Sequence, residues 1–220
     1  MVKRTKLIEF KVLRYTKAMS MMNLKGDDKL VNVTISEDSD VFIATKNGYG
    51  LWYGIDEISV VGIKASGVKS INLKNDEVVS GLLFNPNSEY ISIITDKGTA
   101  KRINLDDFDK GSRANRGLLL MKEIKSNPSK IIKVYISNVK SEIAVITDNE
   151  TKKLKLTEIS IMDRYSNGSY IVKDKIKDSY MVDEVINQDK SKEYQKVTDN
   201  LKEIDDKIVL IDEILNNIEK

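Results

Sequence analysis

The chain has 220 residues, of which 40% are hydrophobic, enough to bury a core in one large domain or two small ones. Thirty-six Lys and Arg against 34 Asp and Glu leave +2, a balance that singles out no partner by itself. The absence of His and Cys excludes disulfides, thiol nucleophiles, Ser-His and Cys-His catalysis and the usual zinc sites. No run approaches the ~18 apolar residues of a membrane span, and Met1 to Lys6 does not read as a signal peptide, so the expected setting is cytoplasmic.

Residues 1–38 open on Val2-Lys3-Arg4-Thr5, which aligns with Thr99-Ala100-Lys101-Arg102, and run into Leu7-Ile8-Glu9-Phe10. The apolar strand expected before them is missing, so this first copy of a repeated unit reads as cut short. Residues 39–88 hold a full copy: an apolar run from Val41 to Thr45, the turn Lys46-Asn47-Gly48, and a second run closing on Ile55-Asp56-Glu57-Ile58. A polar, basic loop follows, then Ser70 to Lys74 and Val78 to Leu83 as third and fourth strands. Residues 89–140 repeat the pattern with Ile91 to Thr95, Asp96-Lys97-Gly98 and Leu105-Asp106-Asp107-Phe108. Residues 141–187 do so with Ile143 to Thr147, Asp148-Asn149-Glu150 and Leu156-Thr157-Glu158-Ile159. The threonines lie 50 and 52 residues apart.

Strand, tight turn, strand, loop, strand, strand in ~50 residues is the period of a four-stranded propeller blade. β-branched residues fill the runs, and Gly48 and Gly98 supply the positive φ that hairpin turns need. The expectation is an all-β fold of propeller-like blades over residues 1–187, three complete and one partial, with unrelated strands of one sandwich as the weaker alternative.

Residues 188–220 differ in kind. Six Lys against nine acids make this stretch −3 and leave +5 on the rest. Val197, Leu201, Ile204, Ile208, Ile211, Leu215 and Ile218 alternate by four and three, which predicts a coiled-coil-like helix. Residues 197–218 either self-associate or dock on the basic body of the same chain.

The loop after each acidic-apolar ending concentrates positive charge. Aligned on Ala18, Gly67, Gly117 and Gly168, the residue four before reads Arg14, Ile63, Arg113, Arg164, and the residue immediately before reads Lys17, Ser66, Arg116, Asn167. Stacked blades bring such loops onto one rim at regular intervals, a track suited to a polyanion. The candidate DNA contacts are Lys3, Arg4, Arg14, Lys17, Lys64, Lys69, Lys97, Lys101, Arg102, Arg113, Arg116 and Arg164. Fourteen aromatic residues, several in strand positions, do not make a stacking platform for single strands, and no helix-turn-helix or zinc-finger pattern is present. Duplex phosphates fit the track best.

The strings Thr45-Lys46-Asn47-Gly48-Tyr49-Gly50 and Lys64 to Val79 resemble the blade repeat of the C-terminal domain of bacterial type IIA topoisomerase A subunits. Val2 to Thr5 with Leu24 to Val31 matches the same pattern one repeat earlier, and the likeness covers about residues 2–175. Arg14 to Ala18 and Arg164 to Ser169 look more like topoisomerase IV of Gram-positive bacteria than like gyrase. The resemblance implies a β-pinwheel, in which blades exchange strands, and a non-catalytic domain that binds and bends duplex DNA and guides it for ATP-dependent strand passage, decatenation and relaxation. It also implies two protein partners, a catalytic core and an ATPase subunit, with ATP and Mg serving the parent enzyme rather than this chain. The DNA-cleaving tyrosine of that family lies upstream of the matched region, and none of the nine tyrosines here has its context. A gyrase C-terminal domain is the second reading; the glycine-rich basic box of gyrase does not appear, but it belongs to a first blade that this chain is expected to start after, so its absence does not decide. A protein-interaction scaffold with a coiled-coil tail is the rival of another class. The acid pairs Asp27-Asp28 and Asp106-Asp107 fall at turns and read as solvated, not as metal or acid-base sites.

Overall fold

The computed structural model describes residues 1–11, 18–37, 40–122, 126, 128–136 and 140–182. Two compact units divide the chain, Met1–Ser179 and Tyr180–Lys220. Residues 188–220, with the seam at 197–218, lie outside the described residues, as do Arg14 and Lys17.

Eleven strands form among the described residues: β1 (Asp40–Thr45), β2 (Tyr49–Gly54), β3 (Val78–Phe84), β4 (Tyr90–Thr95), β5 (Thr99–Asn104), β6 (Leu118–Leu119), β7 (Ile131–Ile136), β8 (Glu142–Ile146), β9 (Thr151–Lys155), β10 (Ser169–Tyr170) and β11 (Asp178–Met181). They make three antiparallel sheets with orders β3-β1-β2-β6, β10-β5-β4-β7 and β11-β8-β9. Each repeat supplies its own first, second and last strand. The short outer strand of the first two sheets comes from the following repeat: Leu118 faces Gly50, and Ser169 faces Ala100. A bridge between Val2 and Val68 repeats the arrangement at the start of the chain.

The recurring threonine builds the hairpin. Thr45 Oγ1 accepts the Tyr49 N–H at 3.1 Å while Gly48, at φ 95°, donates its N–H to the Thr45 carbonyl. Thr147 Oγ1 accepts from Asn149 and Glu150 in the turn that lacks glycine. Thr95 bonds Thr99 across its turn at 2.7 Å. The acidic-apolar endings are not strand ends but single 3₁₀ turns, closed by the N–H of Ile58, Phe108 and Ile159 onto the carbonyl three residues back.

β1 is buried along its whole length because neighbours cover both its faces. Val41 and Ile43 pack with Leu51, Tyr53, Ile58 and Ile71. Phe42 and Ala44 face the second sheet, where Ile91, Ile93, Ile103, Leu105 and Phe108 receive them, and the Phe42 and Phe108 rings meet at 5.2 Å. Each large apolar side chain buried this way contributes about 1.5–3 kcal/mol.

Two expectations need correction. Ser70 to Lys74 is not a strand, since the third strand shrinks to Val68 and its equivalents and pairs with the preceding repeat's sheet. The alignment of the opening residues also shifts by one: Gly67, Gly117 and Gly168 press on the carbonyls of Val2, Gly50 and Ala100, so Lys3 corresponds to Lys101 and Arg4 to Arg102.

Those three glycines make the crossing. Each has φ between 82° and 85°, and a Cβ at Gly168 would lie 2.6 Å from the Ala100 oxygen. Gly117→Ala therefore combines left-handed strain with a backbone clash and should destabilise the protein by about 2–3 kcal/mol, read from urea unfolding. Gly62→Ala, whose Cβ would meet nothing within 4 Å, is the control and should shift stability by less than about 0.5 kcal/mol.

Candidate nucleic-acid interface

The basic residues selected from sequence divide into two groups. The first holds the repeats together. Arg113 Nη1 donates to the Lys69 carbonyl at 2.6 Å, and Arg164 Nη1 donates to the Leu119 carbonyl at 2.7 Å. Lys69 and Leu119 each stand two residues after a crossing glycine, so the two bonds are the same bond one repeat apart. Arg113 also binds Glu57 twice, through its Nε to the carbonyl and its backbone N–H to the carboxylate. At the third equivalent position stands Ile63, which cannot donate, and there Lys3 bonds the carbonyls of Ile63 and Met21 instead. Arg116 bonds the Asn72 and Leu73 carbonyls and lies 3.9 Å above the Tyr49 ring.

Lys101 and Arg102 are buried, at 2% and 8% exposure. Lys101 Nζ donates to the carbonyls of Asp163 (3.1 Å), Arg164 (2.6 Å) and Ser166 (2.6 Å), which turns the loop before Gly168 around one ammonium. Arg102 Nε donates to the Ile159 carbonyl at 2.7 Å, and its guanidinium covers the Tyr90 ring at 4.8 Å. Neither side chain is available to a ligand. Burial, helped by the nearby Arg164 charge and opposed by Asp163, pulls Lys101 down to about 8.

The second group faces solvent. Lys64 and Lys69 are exposed before and after the Val68 crossing, and Lys97 is half-buried at its hairpin turn. Arg4, in register with Arg102, is half-buried, and its carbonyl accepts from the Val61 N–H. The third sheet adds exposed lysines absent from the sequence-derived set: Lys152, Lys153 and Lys155 on β9, and Lys173, Lys175 and Lys177 after β10. Lys152 and Lys153 had a signal, their place beside a hairpin; the other four had only local lysine density. Sequence reasoning also missed the cluster in which Asp40, buried on β1, accepts from Trp52 Nε1 at 2.6 Å and from Lys110 Nζ at 3.0 and 3.1 Å. Among the described residues no group of three or more acids could hold a metal ion, and Asp27-Asp28 and Asp106-Asp107 sit at exposed turns.

Stacked antiparallel sheets that borrow their outer strand from the next repeat, with basic loops at each crossing, define a propeller-type repeat domain of the pinwheel kind. The family model described as DNA gyrase C-terminal domain, beta-propeller, matches residues 1–37, 39–85 and 89–138, and the chain belongs to that family. It is 43% identical over 173 residues to the A subunit of DNA topoisomerase 4 from Bacillus subtilis, covering 77% of this chain and 21% of that protein. The corresponding protein of Streptococcus pneumoniae is 33% identical over 216 residues, covering 86% and 26%. The chain thus spans about a fifth to a quarter of these relatives. The crystal structure of the C-terminal domain of DNA topoisomerase IV superposes with a TM-score of 0.78 at 35% identity, over 83% of this chain and 58% of that one. A DNA gyrase A C-terminal domain shares the fold at TM-score 0.59 and 16% identity, over 67% and 52%. The likeness to topoisomerase IV A subunits is the stronger of the two.

Lys101 yields a test. Its folded-state value lies below the ordinary 10.5, so between about pH 8 and 10.5 the unfolded chain holds this proton more firmly than the folded one. Its contribution to stability must therefore rise with pH across that window. Urea titrations should show the unfolding free energy of the parent chain gaining on that of Lys101→Met as pH increases through it. At pH 7 the variant, with three loop carbonyls left without their donor, should be less stable by about 1–3 kcal/mol.

Proposed function

We propose that this chain is a non-catalytic domain of a topoisomerase IV A subunit that binds and bends duplex DNA, delivering it to the strand-passing core for decatenation and relaxation. The observation that carries the reading is the recurrence of a basic loop at the same edge of successive sheets, its spacing set by the equivalent bonds from Arg113 to Lys69 and from Arg164 to Leu119. A series of positive loops at fixed separation matches the regular phosphate charge of a duplex and carries no base-reading element. The contacts are the exposed Lys64 and Lys69 and the half-buried Lys97 from the earlier set, joined by the exposed Lys153. Arg113, Arg116 and Arg164 are half-buried and act mainly by holding the loops.

Energy for bending comes from phosphate neutralisation, and DNA sequence enters only through how readily the duplex deforms. ATP, Mg and the DNA-cleaving chemistry belong to the remainder of the parent enzyme. The protein partners are that enzyme's catalytic core and its ATPase subunit. A cytoplasmic setting follows from that role, and among the described residues no helix is long and apolar enough to cross a membrane.

Binding to duplexes of ~40 base pairs should weaken with salt at a log-log slope of about −0.9 per phosphate neutralised. Lys64→Ala and Lys69→Ala should each lower that slope by about 1, weaken all duplex sequences alike and leave thermal stability unchanged. Salt-independent binding, or a loss confined to one DNA sequence, overturns the proposal.

A further inference from the structure

The three crossings differ at two positions, one three residues before the crossing glycine and one two residues after it. At Gly67 these are Lys64 and Lys69, both exposed; at Gly117 they are Ala114 and Leu119, both half-buried; at Gly168 they are Tyr165 and Tyr170. The two tyrosines are 55% and 75% exposed. Lys64 and Lys69 stay exposed although the next repeat reaches over them, with Arg113 bonded to the Lys69 carbonyl at 2.6 Å. Both positions therefore face solvent within a stacked row of repeats. The tyrosines stand where the first crossing displays its lysines.

Isolated exposed aromatics are common on protein surfaces, but this pair is fixed from below. The loop that bears Tyr165 is tied by three of its carbonyls to the Lys101 ammonium. Ser166 closes it, since its N–H and its Oγ both donate to the Asp163 carbonyl, at 3.0 and 2.9 Å. Arg164, anchored on the Leu119 carbonyl, lies 4.5 Å over the Tyr165 ring and donates to the phenol oxygen at 3.3 Å. That bond occupies the oxygen as an acceptor and leaves its proton for an acceptor in solvent. Tyr170 is held in the ladder opposite Thr99, and the adjacent Ile171 N–H donates to the Gly98 carbonyl at 2.8 Å. Little of either backbone has to be ordered when a ligand arrives.

We infer that Tyr165 and Tyr170 make an uncharged contact with the duplex backbone, each hydroxyl donating to a phosphate oxygen while its ring lies along the deoxyribose. The inference rests on the duplex binding proposed above and extends it to a second kind of contact. Tyrosine combines an apolar body with a polar tip, which suits a sugar beside a phosphate. A lysine that neutralises a phosphate releases condensed counterions and loses grip as salt rises, whereas a phenol releases none. The edge therefore holds DNA in a salt-sensitive way at the first crossing and a salt-resistant way at the third, and the half-buried Ala114 and Leu119 supply neither between them.

Duplex affinity measured across a salt series separates the two kinds of contact. Tyr165→Ala combined with Tyr170→Ala should weaken binding to a duplex of ~40 base pairs about tenfold at every salt concentration and leave the log-log slope unchanged. Tyr165→Lys combined with Tyr170→Lys should steepen that slope by about 2. Tyr165→Phe combined with Tyr170→Phe keeps both rings, including the one beneath Arg164, and should weaken binding about threefold through the hydroxyls alone. If the alanine pair also lowers the thermal midpoint, the phenylalanine pair still decides. An alanine pair that binds duplex as the parent does, a slope that falls with it, a phenylalanine pair as tight as the parent, or a loss confined to single-stranded DNA overturns the inference. In each of those cases salt-dependent duplex binding by the parent leaves the proposed function standing, whereas a parent chain that binds no duplex overturns both.

Discussion

Everything in this structure depends on a backbone passing within contact distance of another backbone from the preceding repeat. At Gly67, Gly117 and Gly168 the chain leaves its own repeat, takes a left-handed turn and lies along the outer strand of the repeat before. No side chain fits between, and only glycine takes that φ without strain. The crossing converts a row of three-stranded sheets, each with an open edge, into four-stranded ones, and it brings the apolar residues that follow it, Leu120 and Met121, into the core shared by the first two sheets.

The crossing also explains why so many cations face inward. A segment arriving from another repeat carries carbonyls that no regular ladder satisfies, and buried carbonyls without donors are costly. Lys101 satisfies three of them, Arg113 and Arg164 one each from the preceding loop, and Lys3 two where Ile63 breaks the series. Positive charge is thus structural first, and the same residues fix where the exposed lysines stand. On the proposed reading, a polyanion would meet a surface whose geometry is set before it arrives, so little ordering cost would remain at binding.

The hairpins were readable in the sequence because their cause is local. A threonine hydroxyl three or four residues from the N–H groups it caps, followed by Asn-Gly or Lys-Gly, leaves a signature within five residues. The strand exchange is non-local, and its only trace was the recurring Ala or Gly used for alignment. Ser70 to Lys74 looked like a strand because it alternates, but its backbone groups go to Asn115 and Ala114 in the next loop and to no ladder. The basic loops were visible in register, whereas their division into holding and exposed residues was not. A lysine beside an arginine in a polar stretch reads the same whether it meets water or, as Lys101 does, three carbonyls contributed by residues 62 to 65 positions onward.

Borrowed strands also constrain how such a chain can change in length. Removing part of a repeat strands a donor at one end and an acceptor at the other, because the piece that completes a sheet is encoded in the next unit. An excision or duplication whose two breakpoints lie at the same point of successive repeats restores both, wherever in the repeat that point falls. Recombination between repeats can therefore add or delete whole units of about 50 residues without designing a new boundary, while any fractional change leaves a sheet one strand short. Unit number is the quantity this architecture leaves free to vary, and with it the length of basic edge presented to a ligand.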